Sequence, residues 1–566
     1  MGTRSSNGAP FEPPRWTAKE EYRLRPFVSN VDRPIYAILI PFPELVGALC
    51  SRASRAGDDL RGVLLREFLS PFLDAKREEG EALDAWRERE RYARALQLFI
   101  SRLNEYGLPE LFANPKARAF YQTWLAQYGD DSIAQMSGAH LAFAGLSQIA
   151  LKHLEDQRIG LAPIEKSTRY VDYAKKINGS YAYFTDGKLA RWGMLNRYRS
   201  ALDRLFETYA ALLPTMVQWL AKRYPDEKPA TIRAKAFDLL RGLLPAATIS
   251  QAAFFGNGQA FEYMMGRSRK QRLSELRWIA TESKKELDQV IPAFLRRVET
   301  EQGEAYQRYL AGRRARMTPF AQKLFPGRVI GVGEAPAVRL VEYDPDGEDK
   351  IIAGMLYNAE DVHDAWETIL ERVRRLPLKE KRRIIRAYLS GRTARWQKVG
   401  RAFENAYVRF EIVMNIGAYR DLHRHRMLTQ ERQLFSCHHG FDVPDEVKEA
   451  GLGDFFREAV SGAEDVFLAL DRRDPEVAQY AVTLAHRVRF MQWENLREFF
   501  WEAELRSIPE GHPDYRAVEQ EKYRLLKAVY PTLMEFALVN MNEYDFARRG
   551  QEEKIAAKEK ELRDMK

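Results

Sequence analysis

The stretch from Leu195 to Tyr224 reads LNRYRSALDRLFETYAALLPTMVQWLAKRY. Its apolar residues recur at intervals of three and four with charges between them, a period that predicts an amphipathic helix. The pattern returns in four further stretches, which are Asp58 to Leu73, Leu83 to Leu103, Thr231 to Leu243 and Arg516 to Tyr544. Pro531 is expected to kink or split the last of these. The sequence therefore predicts a mostly helical protein.

Strand candidates are few and short, and several of them are flanked by glycine, proline or Asp-Gly turns. They are Ile35 to Ile40, Ser180 to Thr185, Val329 to Val332, Ala337 to Tyr343 and Lys350 to Met355. Together with the helices they predict an α+β fold with small sheets.

Composition places the chain among folded globular proteins. Of its 566 residues, 45% are hydrophobic and 30% are charged, which excludes disorder as the main state. The most apolar run, Tyr36 to Cys50, is broken by two prolines and a glutamate, so we expect no membrane span. Residues 1–30 begin without the continuous apolar segment of a secretory signal, which predicts a flexible leader and a cytoplasmic protein.

Metal and redox chemistry have little support in the sequence. Cys50 and Cys437 are the only cysteines, too few for a disulfide framework or a cysteine-only zinc site. Four of the nine histidines lie between His423 and His439, but their spacing matches no common zinc motif. We therefore expect no metal.

Two clusters of polar residues could bind an anion. Ser167 and Arg169, two positions apart in an extended or turn segment, place a hydroxyl and a guanidinium on one side. His423 to Arg426 puts four cationic or titratable groups in a row, and an anionic partner would relieve their repulsion. A surface turn and a solvated helix end are the alternative interpretations. The net charge of +9 fits a phosphate-bearing ligand or weak attraction to nucleic acid and does not decide between them.

A third cluster lies in the segment WENLREFFWEAELRS, which contains Asn495, Arg497 and Arg506. On one helix the two arginines are nine residues, or about 2.5 turns, apart, so they lie on different faces. The aromatic neighbours indicate a largely buried helix, in which arginines need a carboxylate or a ligand.

A domain boundary is predicted around residues 311–337, where helical sequence gives way to a basic stretch with glycine and proline and then to short strands. The expected organisation is a leader over 1–30, a first domain over 31–325, a second domain over 326–545 and a charged tail over 546–566.

Together the three clusters resemble the hallmark of flavin-dependent thymidylate synthases, R-H-R-x-x-S-x-N-E-x-S-x-R-Y, and the chain resembles two such domains in tandem. The N-terminal half matches the end of the hallmark with Glu165, Ser167, Arg169 and Tyr170. Its R-H-R positions are instead Gln157, Arg158 and Ile159.

The C-terminal half matches the opposite end of the hallmark. It keeps the R-H-R triplet as Arg424, His425 and Arg426, with Thr429 in place of the first serine. The distal Glu, Ser and Arg are replaced by Arg432, Leu434 and Ser436.

Other parts of the family pattern divide in the same way. An arginine 16 residues before the family's N-x-R segment is matched by Arg241 before Asn257, and its C-terminal counterpart is Gln479. The N-x-R segment and a further arginine are matched by Asn495, Arg497 and Arg506, whereas Gln259 follows Asn257. A Phe-Glu pair associated with flavin appears as Phe403-Glu404, and its N-terminal counterpart, near residues 131–135, keeps Ser132.

The resemblance implies a composite site built from both halves that reductively methylates dUMP or a related uridine nucleotide. It implies FAD as cofactor, with methylenetetrahydrofolate and NADPH as co-substrates. Arg424 and Arg506 would polarise the uracil as catalytic residues. The implied substrate-binding residues are Glu165, Ser167, Arg169, Tyr170, Arg241, Arg424 and Arg506. The implied cofactor-binding residues are Arg424, His425, Arg426, Glu404, Asn495, Arg497 and Ser132.

The family's homotetramers imply that two copies of this double-length chain form a homodimer that acts as a pseudo-tetramer. Two alternatives remain open on the sequence. One is a catalytically degenerate paralogue that binds flavin, nucleotide or nucleic acid, and the other is a helical protein that binds RNA through its positive charge.

Overall fold

The structure is a computed structural model that describes residues 8–77, 79, 81–107, 116, 134–326, 337–544 and 546. The predicted strand Val329 to Val332, Ser132 and the tail from Gln551 lie outside these residues. Each helix in the described ranges is too short or too polar to span a membrane.

The N-terminal part of the chain is mostly helical. Its α-helices are α1 (Ala18–Leu24), α2 (Pro43–Ala53), α3 (Leu60–Val63), α4 (Ser70–Leu73), α5 (Leu83–Tyr106), α6 (Gln148–Glu155), α7 (Lys188–Arg191), α8 (Leu195–Arg223), α9 (Pro229–Leu240), α10 (Gly258–Ser268), α11 (Ser274–Leu287) and α12 (Glu301–Leu324). A π-helical turn at Leu64–Leu69 joins α3 to α4, and 3₁₀-helices lie at Arg25–Phe27, Arg241–Leu243 and Pro292–Glu299.

The C-terminal part continues with α13 (Gly347–Leu356), α14 (Trp366–Arg374), α15 (Leu378–Tyr388), α16 (Ile416–Leu422), α17 (Asp445–Glu449), α18 (Gly453–Asp471), α19 (Pro475–Ala478), α20 (Leu496–Arg506), α21 (Pro513–Val529) and α22 (Pro531–Met534). Its 3₁₀-helices are Arg401–Asn405 and Gln479–Ala481. All five predicted stretches contain helix, but the last was predicted to reach Tyr544 and ends at Met534, with residues 535–544 in turn and coil. Pro531 separates α21 from α22 because proline lacks the N–H that would continue the first helix.

Two four-stranded antiparallel sheets have the same topology. The first contains β1 (Ile35–Ile38), β2 (Gly138–Ser147), β3 (Leu161–Glu165) and β4 (Ile249–Asn257) in the order β1-β2-β4-β3. The second contains β5 (Ala337–Tyr343), β6 (Tyr407–Asn415), β7 (Thr429–Arg432) and β8 (Arg487–Asn495) in the order β5-β6-β8-β7. The predicted α+β architecture with two related halves and small antiparallel sheets is confirmed.

Contacts group the chain into two compact units, each of which takes a segment from the other half of the sequence. The first unit is drawn from Met1–Leu213, Leu243–Arg328 and Asp454–Val482, and the second from Pro214–Gly242, Val329–Gly453 and Thr483–Lys566. The chain passes from the first unit to the second within α8, at Pro214. The predicted boundary at 325/326 stays a prediction.

Contacts inside each unit hold the exchanged segments. In the first unit the hydroxyl of Tyr480 donates to Glu275 Oε2 at 2.8 Å. In the second, Lys235 Nζ lies 2.9 Å from Glu446 Oε1. Both contacts join residues more than 200 positions apart in the sequence.

The leader predicted over residues 1–30 is wrong for its C-terminal part. Thr17 and Glu20 form a capping box at the start of α1, in which each side chain accepts from the other's backbone N–H. Leu24 and Phe27 are buried in an apolar cluster with residues of α2 and α3. The T-x-x-E signal for this helix is present in the sequence.

Two predicted strands are also wrong. Lys350 to Met355 lies inside α13, because a short apolar run can be the buried face of a helix as well as a strand, and acidic residues in its first turn favour the helix. Ser180 to Thr185 makes isolated β-bridges without a strand, and its Tyr181 and Tyr183 are buried against Phe206 of α8.

Candidate functional site

Helix α20 carries three candidate residues of the second unit. Asn495 ends β8, and its side-chain oxygen accepts a hydrogen bond from the N–H of Glu498 at 2.9 Å, which caps the helix. Arg497 lies in the first turn of α20 and Arg506 in its last. The cap therefore fixes the strand-to-helix corner from which both arginines extend.

A hydrogen-bond relay connects Arg506 to a buried carboxylate. Arg506 Nε lies 2.9 Å from His425 Nε2, and His425 Nδ1 lies 3.0 Å from Glu498 Oε1. A guanidinium group can only donate, so Nε2 accepts and the ring proton is on Nδ1, from which it is donated to Glu498. Glu498 thus sets the tautomer of His425, and His425 sets the direction of Arg506.

We call one surface of the second unit its cation face. It consists of Arg424, Arg426 and the ion pair Glu404–Arg497. Arg424 has a side chain 42% exposed, and its Nη2 is 3.8 Å from Asp421 Oδ1. Arg497 Nη1 is 2.5 Å from Glu404 Oε1, with 40% and 32% of the two side chains exposed. Arg426 is half-buried. The motif residues Glu404 and Arg497 therefore bind each other.

Three buried glutamates surround one buried lysine beneath β8. Lys522 Nζ lies 2.8 Å from Glu494, 3.0 Å from Glu502 and 3.2 Å from Glu519, and all four side chains are fully buried. Burial raises the pKa of Glu494 well above its usual range and the pKa of Glu519 to about 8, against the attraction of Lys522. Lys522 holds the pKa of Glu502 below its ordinary value despite burial.

This arrangement favours the charged forms of Lys522 and Glu502 and the protonated forms of the other two carboxyls. Burial lowers the pKa of Lys522, but the three glutamates together raise it well above its ordinary value. A buried ion pair of this kind supports its surroundings only while both partners remain. It lies against α20, the helix that carries Arg506.

Arg241 belongs to the second unit, although its sequence position is in the predicted N-terminal domain. It is buried, with Nη1 3.0 Å from Asp238 Oδ1, and Nη2 has no hydrogen-bond partner. A Cβ on Gly417 would come within 3.2 Å of Arg241 Nε, so the glycine leaves room for the guanidinium against the first turn of α16. A buried, unpaired cationic N–H is a position that an anion would satisfy.

The Ser/Arg end of the hallmark lies in the first unit, just after β3. The N–H of Ser167 donates to the carbonyl of Ser54 at 3.0 Å, and Arg169 is 6% exposed. Arg55 lies over the ring of Tyr170 at 6.0 Å. Glu165 faces inward, 3.3 Å from the buried Lys152. The structure brings these four hallmark residues together in one segment.

The first unit contains a neutral counterpart of the Glu404–Arg497 pair. Gln135 Nε2 donates to Gln259 Oε1 at 3.0 Å. Gln135 is three residues before β2 and Gln259 two residues after Asn257, the same offsets that Glu404 and Arg497 have from β6 and Asn495. Ser132, the predicted flavin contact in this region, lies outside the described residues.

Comparison with known proteins decides the family. The family model described as thymidylate synthase complementing protein matches residues 83–293 and 339–532, more than half of the chain. The chain belongs to this family. The first matched region contains β2, β3 and β4 and the second contains nearly all of the second sheet, so the family match occurs twice in tandem.

Relatives within the family share this double length. A UPF0159 protein of Chlamydia pneumoniae is 35% identical in an alignment that covers 95% of this chain and 97% of the relative. A UPF0159 protein of Thermoplasma acidophilum is 30% identical in an alignment that covers 89% of this chain and 97% of the relative. The solved UMP/dUMP methylase PolB of Streptomyces cacaoi, bound with 5-Br dUMP, covers 38% of this chain and 100% of its own at 16% identity. Its TM-score of 0.29 is too low to support a structural argument.

Several residues that shape the site were not singled out in the sequence. Glu498 had a signal, because a glutamate three positions after a capping asparagine is a common helix start. Asp238 also had a signal, since it lies three positions before Arg241, the spacing of neighbours on a helix. Lys522 had none for Glu502 and Glu494, which precede it by 20 and 28 positions and meet it only through tertiary packing.

Proposed function

We propose that this protein is a flavin-dependent methyltransferase that reductively methylates dUMP or a related uridine nucleotide, with methylenetetrahydrofolate as carbon donor and NADPH as reductant. The observation that carries the proposal is the relay from Glu498 through His425 to Arg506. It joins the R-H-R triplet to the arginine at the end of α20 in a member of the thymidylate synthase complementing family.

The donor set of the second unit fits an anionic cofactor such as FAD. Its cation face is partly open to solvent. The proposed FAD contacts are Arg424, His425, Arg426, Glu404, Asn495 and Arg497. When bound, FAD would carry the hydride that NADPH supplies.

Arg506 is proposed to polarise the uracil. Its Nε is used by His425, which leaves the four N–H groups of Nη1 and Nη2 for a ligand. Because His425 and the face of Tyr515 hold the guanidinium, its donors are oriented before substrate arrives. Oriented donors of this kind stabilise developing negative charge by about 3–4 kcal/mol each. Arg424, exposed beside His425, is proposed to act with it.

The nucleotide phosphate is proposed to bind at Ser167 and Arg169, with Glu165 and Tyr170 shaping that segment and Arg241 assisting. Ser167 supplies a hydroxyl and Arg169 a guanidinium, the donors that suit phosphate oxygens. Two copies of the chain are proposed to form a homodimer, so that both ends of the hallmark contribute to a composite site.

The test is the absorbance spectrum of the purified protein with and without added FAD, followed by titration with dUMP. A flavin spectrum that changes on addition of dUMP is expected. Arg506→Ala should retain FAD and lower kcat by about 10²–10³-fold. Arg524→Ala, an exposed arginine on α21 paired with Glu521, is the control and should leave kcat unchanged. A colourless protein that takes up no FAD would refute the proposal.

A catalytically degenerate paralogue is the second candidate. The observation in its favour is the first unit, in which Gln259 replaces the arginine of the N-x-R segment and bonds to another amide. If this candidate is correct, the variants Arg506→Ala and Arg169→Ala should each support the same growth as the unmodified chain in a complementation test. A failure of both variants would exclude it.

A further inference from the structure

The positive charge of the chain is concentrated in one segment of the second unit, residues 371–401. This segment contains twelve lysines and arginines and two acidic residues, a net charge of +10, whereas the whole chain has +9. The segment comprises the last turn of α14, all of α15 and the loop that leads to the 3₁₀-helix Arg401–Asn405. The other residues of the chain nearly balance one another, so a polyanion would be attracted to this segment.

Helix α15 arranges four of these cations in one stripe. Lys379, Arg382, Arg383 and Arg386 stand at positions i, i+3, i+4 and i+7, which lie on one face of a helix. All four are exposed. Ile385, on another side of α15, is fully buried. The fold therefore anchors this helix by an apolar side chain and leaves the basic stripe in solvent.

Carboxylates neutralise the stripe only weakly. Among the residues that the structure describes, the first and last cations of the stripe have no carboxylate within 4.0 Å. Arg383 Nε lies 3.1 Å from Glu380 Oε2, with 79% of the arginine side chain exposed. Arg382 Nη2 lies 2.9 Å from Glu535 Oε1, with 45% of the arginine side chain exposed. Exposed ion pairs contribute little, so all four cations remain available to an external anion.

The loop after α15 adds exposed aromatic surface. Trp396 is 72% exposed, and Tyr388, the last residue of α15, is 41% exposed. Arg395 and Lys398 lie on either side of Trp396 in the sequence and, within the described ranges, have no carboxylate within 4.0 Å. An exposed indole among cations suits a nucleobase, because every base has a flat face and is followed by a phosphate.

The stripe favours a nucleic-acid strand over a membrane surface. Helices that lie on membranes insert a face rich in leucine, phenylalanine or tryptophan beside their cations. Each position of the α15 stripe is charged, and the side of α15 that carries Ile385 packs inside the unit, where α15 contacts α13. The stripe therefore offers charge without the apolar face that holds a helix on a bilayer.

We propose that residues 371–401 form a binding surface for single-stranded nucleic acid, in which the α15 stripe contacts phosphates and Trp396 stacks on a base. Such contacts read the backbone and the face of a base, so the surface has little preference for sequence. None of these residues is assigned to methylation. The inference thus goes beyond the proposed function and does not depend on it.

Fluorescence anisotropy tests the proposal, with the full chain titrated into a labelled, mixed-sequence single-stranded DNA of about 16 nucleotides. Binding is expected, and the logarithm of the affinity should fall linearly with the logarithm of the salt concentration, by about 0.7 for each phosphate neutralised. Lys379→Gln with Arg386→Gln breaks no ion pair. This double variant should bind at least tenfold more weakly at low salt, with a salt slope shallower by about 1.4. Trp396→Ala should weaken binding about tenfold and leave the slope unchanged, because it removes stacking and no charge.

Lys448→Gln with Arg524→Gln is the matched control. Both residues are exposed cations of the second unit outside the segment, on α17 and α21, each paired with a carboxylate of its own helix. This variant removes the same charge as the double variant of the stripe. It should leave the affinity for the oligonucleotide and the salt slope unchanged.

Four results would overturn the proposal. The first is no binding of the oligonucleotide by the unmodified chain at low salt, and the second is an equal loss in the control variant. The third is displacement of the oligonucleotide by dUMP or FAD, which would place it at the nucleotide site. The fourth is binding to phosphatidylserine vesicles that the stripe variant loses while it keeps the oligonucleotide, which would assign the stripe to a membrane.

The first and third of these results need no variant, so they do not depend on how a substitution folds. Protein that is colourless and takes up no FAD would refute the methyltransferase proposal, yet it should still bind the oligonucleotide. The two proposals therefore fail on different measurements.

Discussion

The corner between the last paired strand and the following helix occurs in both units with the same register and different chemistry. Asn257 pairs with Gly138 in the first sheet, as Asn495 pairs with Tyr407 in the second. Beside this corner the first unit has an amide pair, Gln135–Gln259, and the second has an ion pair, Glu404–Arg497.

The two halves therefore share the backbone structure of this corner and differ in the side chains that a ligand would meet. The corner requires an asparagine cap, an antiparallel register and a buried helix. None of these three features depends on a charged side chain. The charges decide what can bind there. The second unit presents cations suited to phosphate-bearing ligands, whereas the first presents a neutral amide pair. Four predictions test this contrast, from the largest expected effect to the smallest.

The strongest way to disrupt the charged unit is Lys522→Met, which removes the only cation among three buried glutamates. Glu502 would then be a buried charge without a partner. The expected loss is about 3–5 kcal/mol in the free energy of unfolding, measured by urea denaturation. Lys527→Met, an exposed lysine on the same helix, should change it little. Equal denaturation midpoints for the two variants would contradict the role given to the cluster.

In the first unit burial favours the protonated form of Glu275, and Glu275→Gln tests this. Burial raises the pKa of Glu275 to about 7 from 4.5, even though Ser147 and Tyr480 donate to it. The folded state binds this proton more tightly than the unfolded state does. The stabilisation is therefore complete below pH 4.5 and is lost as the pH rises through about 7.

The amplitude of this effect is about 3 kcal/mol at most, from the size of the pKa shift. Glu275→Gln mimics the protonated form, so its free energy of unfolding should fall less between pH 5 and 7 than that of the unmodified chain. Glu282→Gln on the same helix, whose partner is the surface Lys285, should keep the original pH dependence. An unchanged slope in Glu275→Gln would show that Glu275 is ionised in the folded state.

Replacing the ion pair of the second unit by an amide pair tests the contrast directly. Glu404→Gln with Arg497→Gln gives the second unit the amide pair of the first. Both side chains are about a third or more exposed, so the stability should change by less than about 1 kcal/mol. On the proposed function, FAD affinity should fall about tenfold, since a cation near the cofactor is lost, which corresponds to about 1.4 kcal/mol. Unchanged FAD binding, measured by fluorescence titration, would remove this pair from the cofactor site.

The smallest expected effect concerns Gly266 in α10 of the first unit. A Cβ at Gly266 would meet Tyr306 and Leu310 at ordinary contact distances of 3.8–4.0 Å. Gly266→Ala should stabilise the first unit by about 0.5–1 kcal/mol, because alanine loses less conformational freedom in a helix. Gly258→Ala on the same helix is the contrast, as its Cβ would lie 2.7 Å from Phe294. Thermal denaturation that ranks the two in reverse would contradict the packing.

Much of the site could be predicted as residue types and positions. The spacing around Asn495 places Arg497 and Arg506 at opposite ends of one helix, as observed. What the spacing does not give is the partners. Arg497 binds Glu404, Arg506 binds His425, and Arg241 joins the unit opposite to its place in the sequence. The strand predicted at Lys350 to Met355 failed for a related reason, since a short apolar run is equally suited to two local structures until its neighbours are known.

The amino-acid sequence by itself determined the helices, their caps and the types of side chain available at each corner, because these depend on neighbours a few residues away. The tertiary structure alone decided which of them meet. His425 and Arg506 are 81 positions apart, and a hydrogen bond between them exists only because α20 packs where the turn after α16 ends. Hydrogen bonds and ion pairs depend steeply on distance and angle. The same folded corner therefore carries an ion pair in one unit and a neutral amide pair in the other.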